Sequence, residues 1–297
     1  MLIKSPLGIV ALLACVYIAD GKFDSKFLLL EENRPKLDFM WYVPSRSSSE
    51  KGFIVCASPK CGTTSLYSKL YHQLSGGKPW DNANYRWRQW DAGLEPWNDL
   101  GVMRLSSIRN ATMLHRIINN PSVKRFMLMR HPIERAVSSY RSKFACDADG
   151  YKTDERDRTF MVARLIKMTH LHQAARHQQN CMTFGDFSEA IVRLQRFQVP
   201  PAIVDAHIRP QSLQCQAHLL KYDYISRDAD AILRNAFEWI GEGTGLMDDF
   251  TVPNSHESQG TSAYTTKNYI DNVMTAAQLH KLYAYYTTDM ALFENLI

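Results

Sequence analysis

Two spacings alternate along this chain. Residues 52–57, Gly-Phe-Ile-Val-Cys-Ala, form a short apolar run of strand-forming residues. The run breaks at Ser58-Pro59-Lys60, passes Gly62, and gives way to Leu66, Tyr67, Leu70, Tyr71 and Leu74, which mark one face of a helix. Residues 124–129 repeat the pattern, and Pro132 suits the first position of the helix that follows. Helical spacing returns over residues 160–169 and 187–197, with the polar stretch 147–158 between elements read as a loop. Ile232, Leu233, Ala236, Phe237 and Ile240 form another face, stopped by Gly241. Thr275-Ala276-Ala277-Gln278 is a capping box, and Leu279, Leu282, Tyr283, Tyr286, Met290 and Phe293 continue its helix. Strands alternating with helices predict an α/β fold: a parallel sheet of P-loop type with helices on both faces, in a single domain.

That domain is expected to run over residues 52–297. With 297 residues, 45% hydrophobic and 22% charged, the chain is long enough to bury a substantial core. The net charge of +5 suits an acidic substrate without demanding one, and no nucleic-acid partner is expected. Residues 1–19 carry Lys4 and then an apolar run from Leu7 to Ala19, short for a span of ~20 residues. A type II signal anchor is favoured over a cleaved signal peptide, because Tyr17 spoils the small-x-small pattern before a cut after Ala19. A lipoprotein signal at Leu12-Leu13-Ala14-Cys15 is a third reading, and all three send the remainder across a membrane. Residues 20–51, with Pro35, Pro44 and the serine-rich 45–49, read as a stem, of which Leu37 to Val43 can pack onto the domain.

The first strand-turn-helix is an anion site in outline. The N–H groups of a first helical turn have no partner in the helix, and the helix dipole places positive charge there. Lys60 adds a full charge, and Thr63, Thr64 and Ser65 add hydroxyl donors. A Walker A loop has its lysine after the second of two glycines; here Lys60 precedes the glycine, so that reading fails. Pro59-Lys60-Cys61-Gly62-Thr63-Thr64 resembles instead the 5′-phosphosulfate loop of the sulfotransferases, which use 3′-phosphoadenosine-5′-phosphosulfate (PAPS). Arg130-His131-Pro132-Ile133-Glu134-Arg135-Ala136-Val137-Ser138-Ser139-Tyr140 resembles their 3′-phosphate segment, Arg-x-Pro-x-x-Arg-x-x-Ser-x-Tyr. Its ending, Ser139-Tyr140-Arg141-Ser142-Lys143-Phe144, is closest to the membrane-bound Golgi-type carbohydrate sulfotransferases of the chondroitin, dermatan and HNK-1 group.

The resemblance spans residues 52–297, strong in those two segments and diffuse elsewhere. Thr183-Phe184-Gly185-Asp186-Phe187, the segment from Asp205 to Cys215, and Tyr222-Asp223-Tyr224-Ile225 are similar to further stretches of the family. The family's second cysteine just after Cys215 is missing here, so no local disulfide is carried over. The resemblance implies a luminal, Golgi-membrane enzyme that transfers a sulfuryl group from PAPS to a carbohydrate hydroxyl, releasing adenosine 3′,5′-bisphosphate (PAP). Pro59, Lys60, Cys61, Gly62, Thr63, Thr64 and Ser65 would hold the 5′-phosphosulfate, and Arg130 and Ser138 the 3′-phosphate. The acceptor would be an acidic glycan, on a glycosaminoglycan or a glycoprotein. Tyrosyl-protein sulfotransfer and a non-catalytic glycan-binding protein are the alternatives.

Sulfuryl transfer needs the leaving oxygen neutralised and the acceptor hydroxyl deprotonated. Lys60 is placed for the first task. His207 is the first choice as base, with Asp205 to orient it; the competing reading is a structural histidine bonded to backbone. His115, His131 and Glu134 are lesser candidates: His131 is expected to cap the helix or touch nucleotide, and Glu134 to pair with an arginine. Trp80, Tyr85, Trp87, Trp90 and Trp97, among arginines and aspartates, suit a sugar-stacking surface or an insertion packed on the core. Asn110-Ala111-Thr112 is the one N-glycosylation sequon. Cys146, Cys181 and Cys215 are the disulfide candidates, and no cluster suggests a metal, so none is expected.

Overall fold

The structure, a computed structural model, describes residues 37–78, 97, 99–145, 155–171, 181–248, 266–272 and 274–296. The expected anchor and most of the stem lie outside the described residues, among which no helix is long and apolar enough to cross a membrane.

In chain order, β1 (Met40–Pro44), β2 (Gly52–Ala57) and α1 (Thr63–Leu74) come first. They are followed by β3 (Met103–Arg104), α2 (Ala111–Asn119), β4 (Val123–Leu128) and α3 (Pro132–Lys143). Next are α4 (Glu155–Thr169), α5 (Phe184–Arg196), the single turn α6 (Gln211–Gln214) and β5 (Tyr224–Ser226). The chain closes with α7 (Ala229–Ile240), α8 (Gly245–Asp248), α9 (Thr266–Asn272), α10 (Ala276–Tyr285) and α11 (Thr287–Glu294). The stretch read as a loop up to Arg158 is already helical from Glu155.

The sheet order is β3-β1-β2-β4-β5. β2, β4 and β5 are parallel neighbours, as the alternation of strands and helices requires. β1 departs from that pattern: it runs antiparallel to β2 and to β3, so the sheet is mixed. The stem's last residues are thus part of the sheet, with Met40 opposite Cys56 and Pro44 opposite Gly52.

Alternate strand residues feed two cores, because successive side chains leave a strand on opposite faces. Trp41, Val43, Phe53, Val55, Phe126 and Leu128 pack under α1 and α7. Met40, Tyr42, Ile54, Cys56 and Met127 pack under α2 and against Cys215 and Phe293. Full burial of Phe53, Ile54 and Val55 contributes about 1.5–3 kcal/mol each. A third cluster, formed by α3, α4, α5 and α10, stands beside the sheet and carries the chain that reaches the strand ends. Its helices start as the sequence predicts. Thr183 caps α5 through the Asp186 N–H, and Thr275 and Gln278 complete the capping box of α10.

Candidate active site

β2 and β4 lie side by side and parallel, so the loop after β2 and Arg130 after β4 meet at one edge of the sheet, where open α/β sheets bind ligands. Lys60 and Gly62 both adopt left-handed backbone, φ 70° and 87°. Residues of that kind aim successive N–H groups into one concavity. A Cβ on Gly62 would meet no atom nearer than Leu128 Cδ2 at 3.8 Å, so backbone conformation, and not space, calls for glycine. The first helical bond of α1 runs from the Leu66 N–H to the Gly62 carbonyl, which leaves the N–H groups of the preceding turn without helical partners. The hydroxyls of Thr63, Thr64 and Ser65 are half-buried and bond no other described residue.

Cys61 differs from its neighbours. Its thiol points inward, donating to Gln211 Oε1 at 2.6 Å with Ser58 Oγ 3.1 Å away, and its N–H is taken by the Ser58 carbonyl. Burial pushes the thiol pKa up. Pro59 has no N–H, and its carbonyl accepts from Arg135. These two residues shape the loop from behind.

Arg130 faces the loop from β4. Its Nη1 donates to the Lys60 carbonyl at 3.2 Å, and its Nε lies 3.4 Å from Glu134, which pairs with an arginine as expected. The less buried positions are His131 just before α3 and Glu134, Ser138, Arg141 and Lys143 within it, with Glu134 and Ser138 four apart. Ser138 therefore lies on the face that carries the Arg130–Glu134 pair. His131 makes no side-chain cap, which removes that half of its expected role; its ring stands edge-on to Phe293 at 5.0 Å with Nδ1 buried and unbonded.

The third part of the site is the segment from Asp205 to Cys215. His207 and Asp205 lie in a turn, neither strand nor helix, and the Asp205 Oδ1 accepts both the His207 N–H and its Nδ1, each at 2.8 Å. Desolvation opposes ionisation of Asp205, but these bonds outweigh it and hold the carboxyl below its ordinary range. An ionised carboxylate can only accept, so the imidazole proton resides on Nδ1 and Nε2 keeps its lone pair. Burial lowers the His207 pKa; Asp205 opposes this, while Lys143 and Lys60 add to it. A neutral imidazole with an open acceptor nitrogen results. Burial, then Lys143 and Arg130, also pull Lys60 down to about 8.

Several residues without a role in the sequence reading hold these parts together. Arg135 is fully buried: Nε donates to the Pro59 carbonyl at 2.9 Å, Nη1 to the Arg209 carbonyl at 2.9 Å and Nη2 to the Ala206 carbonyl at 2.8 Å. Ser139 Oγ donates to the His207 carbonyl at 2.6 Å, and Tyr286 donates to the Ile208 carbonyl at 2.7 Å. Asp289 of α11 caps α6 by accepting the Gln211 and Ser212 N–H groups at 2.6 and 2.8 Å. Gln211 then brackets Arg130, accepting its N–H and donating to its carbonyl. Finally, Cys215 is bonded to Cys56 of β2. Cys215 is one of the three disulfide candidates, but its partner Cys56 is not among them. Cys181 is disulfide-bonded as well.

A family model described as a sulfotransferase family matches residues 46–294. The chain belongs to the sulfotransferase family. Among curated proteins and among solved structures, none matches it. The α/β architecture with helices around one sheet is the one expected for a sulfotransferase, with the antiparallel β1 and β3 as the departure from the expected parallel sheet. Trp97 packs against Trp41, Tyr67 and Tyr71 in the core of this sulfotransferase, so it supports the insertion and not a sugar surface. Trp80, Tyr85, Trp87 and Trp90 lie outside the described residues. Asn110 is exposed and caps α2 through the Met113 N–H. His115 is exposed on the same helix. Among the described residues no group of acidic, His or Cys side chains could hold a metal ion.

Proposed function

We propose that this protein transfers the sulfuryl group of PAPS to a hydroxyl of an acidic carbohydrate, on a glycosaminoglycan or glycoprotein glycan. The observation that carries the reading is the meeting of the Lys60 loop with the Asp205–His207 pair. An anion cradle and an open basic nitrogen are the two things sulfuryl transfer asks of a protein. In the proposed step His207 Nε2 takes the acceptor proton while the acceptor oxygen bonds to sulfur. The sulfur–oxygen bond to the 5′-phosphate breaks in line, and Lys60 with the α1 N–H groups meets the charge left on that oxygen. Asp205 holds the imidazole and stabilises it once protonated. Arg130 and Ser138 bind the 3′-phosphate and so fix the donor's register. No step calls on a metal.

The Cys56–Cys215 bond supports a luminal or extracellular setting, since disulfides persist in oxidising compartments. With the apolar N-terminal run, this favours a single-pass type II protein of the Golgi membrane with its catalytic domain in the lumen. The exposed Asn110 sequon fits a glycoprotein.

The test is transfer of labelled sulfate from PAPS to desulfated glycosaminoglycans and tyrosine peptides by wild type, Lys60→Ala and His207→Ala. We expect incorporation into a glycan, abolished in both variants, with PAP affinity kept in His207→Ala. Incorporation into peptide alone would move the acceptor class to protein. Failure of the folded protein to bind PAP would sink the reading.

A further inference from the structure

The donor phosphates and the leaving oxygen account for Lys60, Arg130, Ser138 and the α1 N–H groups. One cation beside them is left over. Arg135, Ser139 and Lys143 recur every four residues along α3 and so form one ridge of that helix. Arg135 bonds the Pro59, Ala206 and Arg209 carbonyls, and Ser139 one turn later bonds the His207 carbonyl. Lys143 is the next step on the ridge, one turn beyond the contact with His207. It is half-buried at the helix end, and no carboxylate pairs with it among the described residues. Its charge reaches both His207 and Lys60, adding after burial to the lowering of each. Such a cation can meet an anion brought by a ligand.

Position says which anion. His207 Nε2 marks where the acceptor hydroxyl must lie, because a base works only within hydrogen-bond reach of its proton. Lys143 follows, one turn along the same ridge, the Ser139 hydroxyl that bonds the His207 carbonyl. We propose that Lys143 is the specificity-determining cation of the acceptor site, reading a carboxylate on the sugar next to the hydroxyl that is sulfated. This deepens the transfer reading above and rests on it. The acceptor class it selects is a uronate-containing glycan, and a neutral glycan would lose the contact.

The probes are desulfated chondroitin, desulfated dermatan and heparosan, each beside its carboxyl-reduced form, with PAP binding measured in parallel. Lys143→Ala should raise KM for the carboxylated acceptor about tenfold while kcat and PAP affinity stay near wild type. Lys143→Arg should recover most of that loss. On the carboxyl-reduced acceptor the gap between wild type and Lys143→Ala should close, since charge and carboxylate act as one pair. An unchanged KM in Lys143→Ala overturns the inference. So does an equal fall in kcat on both forms, which would make Lys143 a ligand of the sulfuryl group. Wild type using reduced and carboxylated glycans equally well overturns it while leaving the transferase reading intact. No turnover of any of these glycans by wild type overturns both.

Discussion

Arg135→Lys keeps the charge and shortens the reach. The native guanidinium is fully buried and spends three donors on three carbonyls, one in the donor loop and two in the segment that carries His207. Among the described residues no carboxylate pairs with it. A lysine ammonium is a point donor and can reach one side of that span, not both. Hydrogen bonds to a charged group contribute about 1.5–3 kcal/mol each, so losing two of three should cost about 3–6 kcal/mol. Against a total of roughly 5–15 kcal/mol, the variant folds but with a narrow margin. The functional cost follows from geometry. Arg135 sets the distance between the Lys60 loop and His207, and a shift of about 1 Å in such a pair lowers turnover ~100-fold. Both PAP affinity and kcat should suffer, because the residue touches both halves of the site. Urea unfolding read by tryptophan fluorescence gives the stability change, and PAP titration with initial rates gives the rest. A variant within ~0.5 kcal/mol of wild type, as for an ordinary surface change, with PAP affinity and kcat intact would refute the reasoning.

The pH profile offers another test. With His207 as the proposed neutral base and its pKa lowered, activity should fall only as pH drops through a value below 6.5. With Lys60 as the proposed cation, the free protein should lose kcat/KM for PAPS as pH rises through about 8. Bound donor phosphates favour the charged lysine, so the basic limb of kcat should lie higher; an acidic limb above 6.5 would count against His207. The Cys56–Cys215 bond closes a loop with a sequence separation of 159 residues. Replacing both cysteines with alanine should cost about 2–5 kcal/mol and lower the Tm by roughly 5–15 °C in a scanning calorimeter. A melting point unchanged to a degree would show that the bond does not form.

Much of the framework was legible in local sequence because its causes are local. The strand at residues 52–57, the glycine turn and the α1 face follow from spacing and from the left-handed backbone at Gly62. The Thr275–Gln278 capping box and the stop at Gly241 are decided within one helical turn. Motif residues Lys60, Arg130 and Ser138 could likewise be named before any fold was known, and parallel pairing of β2 with β4 brings two of their segments together.

Long-range contacts were not legible, because nothing near them in the chain specifies their partners. Met40–Pro44 pairs antiparallel with β2, through backbone bonds that any stem of suitable pattern could make, and this mixes the sheet. Cys56 stood outside the disulfide candidates; only the packing of α6 against the sheet brings Cys215 within bonding reach of it. Arg135 sits in the motif beside Arg130, yet one faces the loop's rim and the other is buried behind it, a difference set by helix rotation against residues 205–209. Asp205 orients His207 through a turn that spacing of two residues does not reveal. Asp289 accepts the Gln211 N–H from far along the chain, and Gln211 brackets Arg130 from behind, through buried backbone groups that must find partners somewhere. Sequence by itself determined the candidate residues of the site and the local elements that bear them. Tertiary structure decided how they meet, because burial and pairing of polar groups are settled by neighbours that the linear chain does not name.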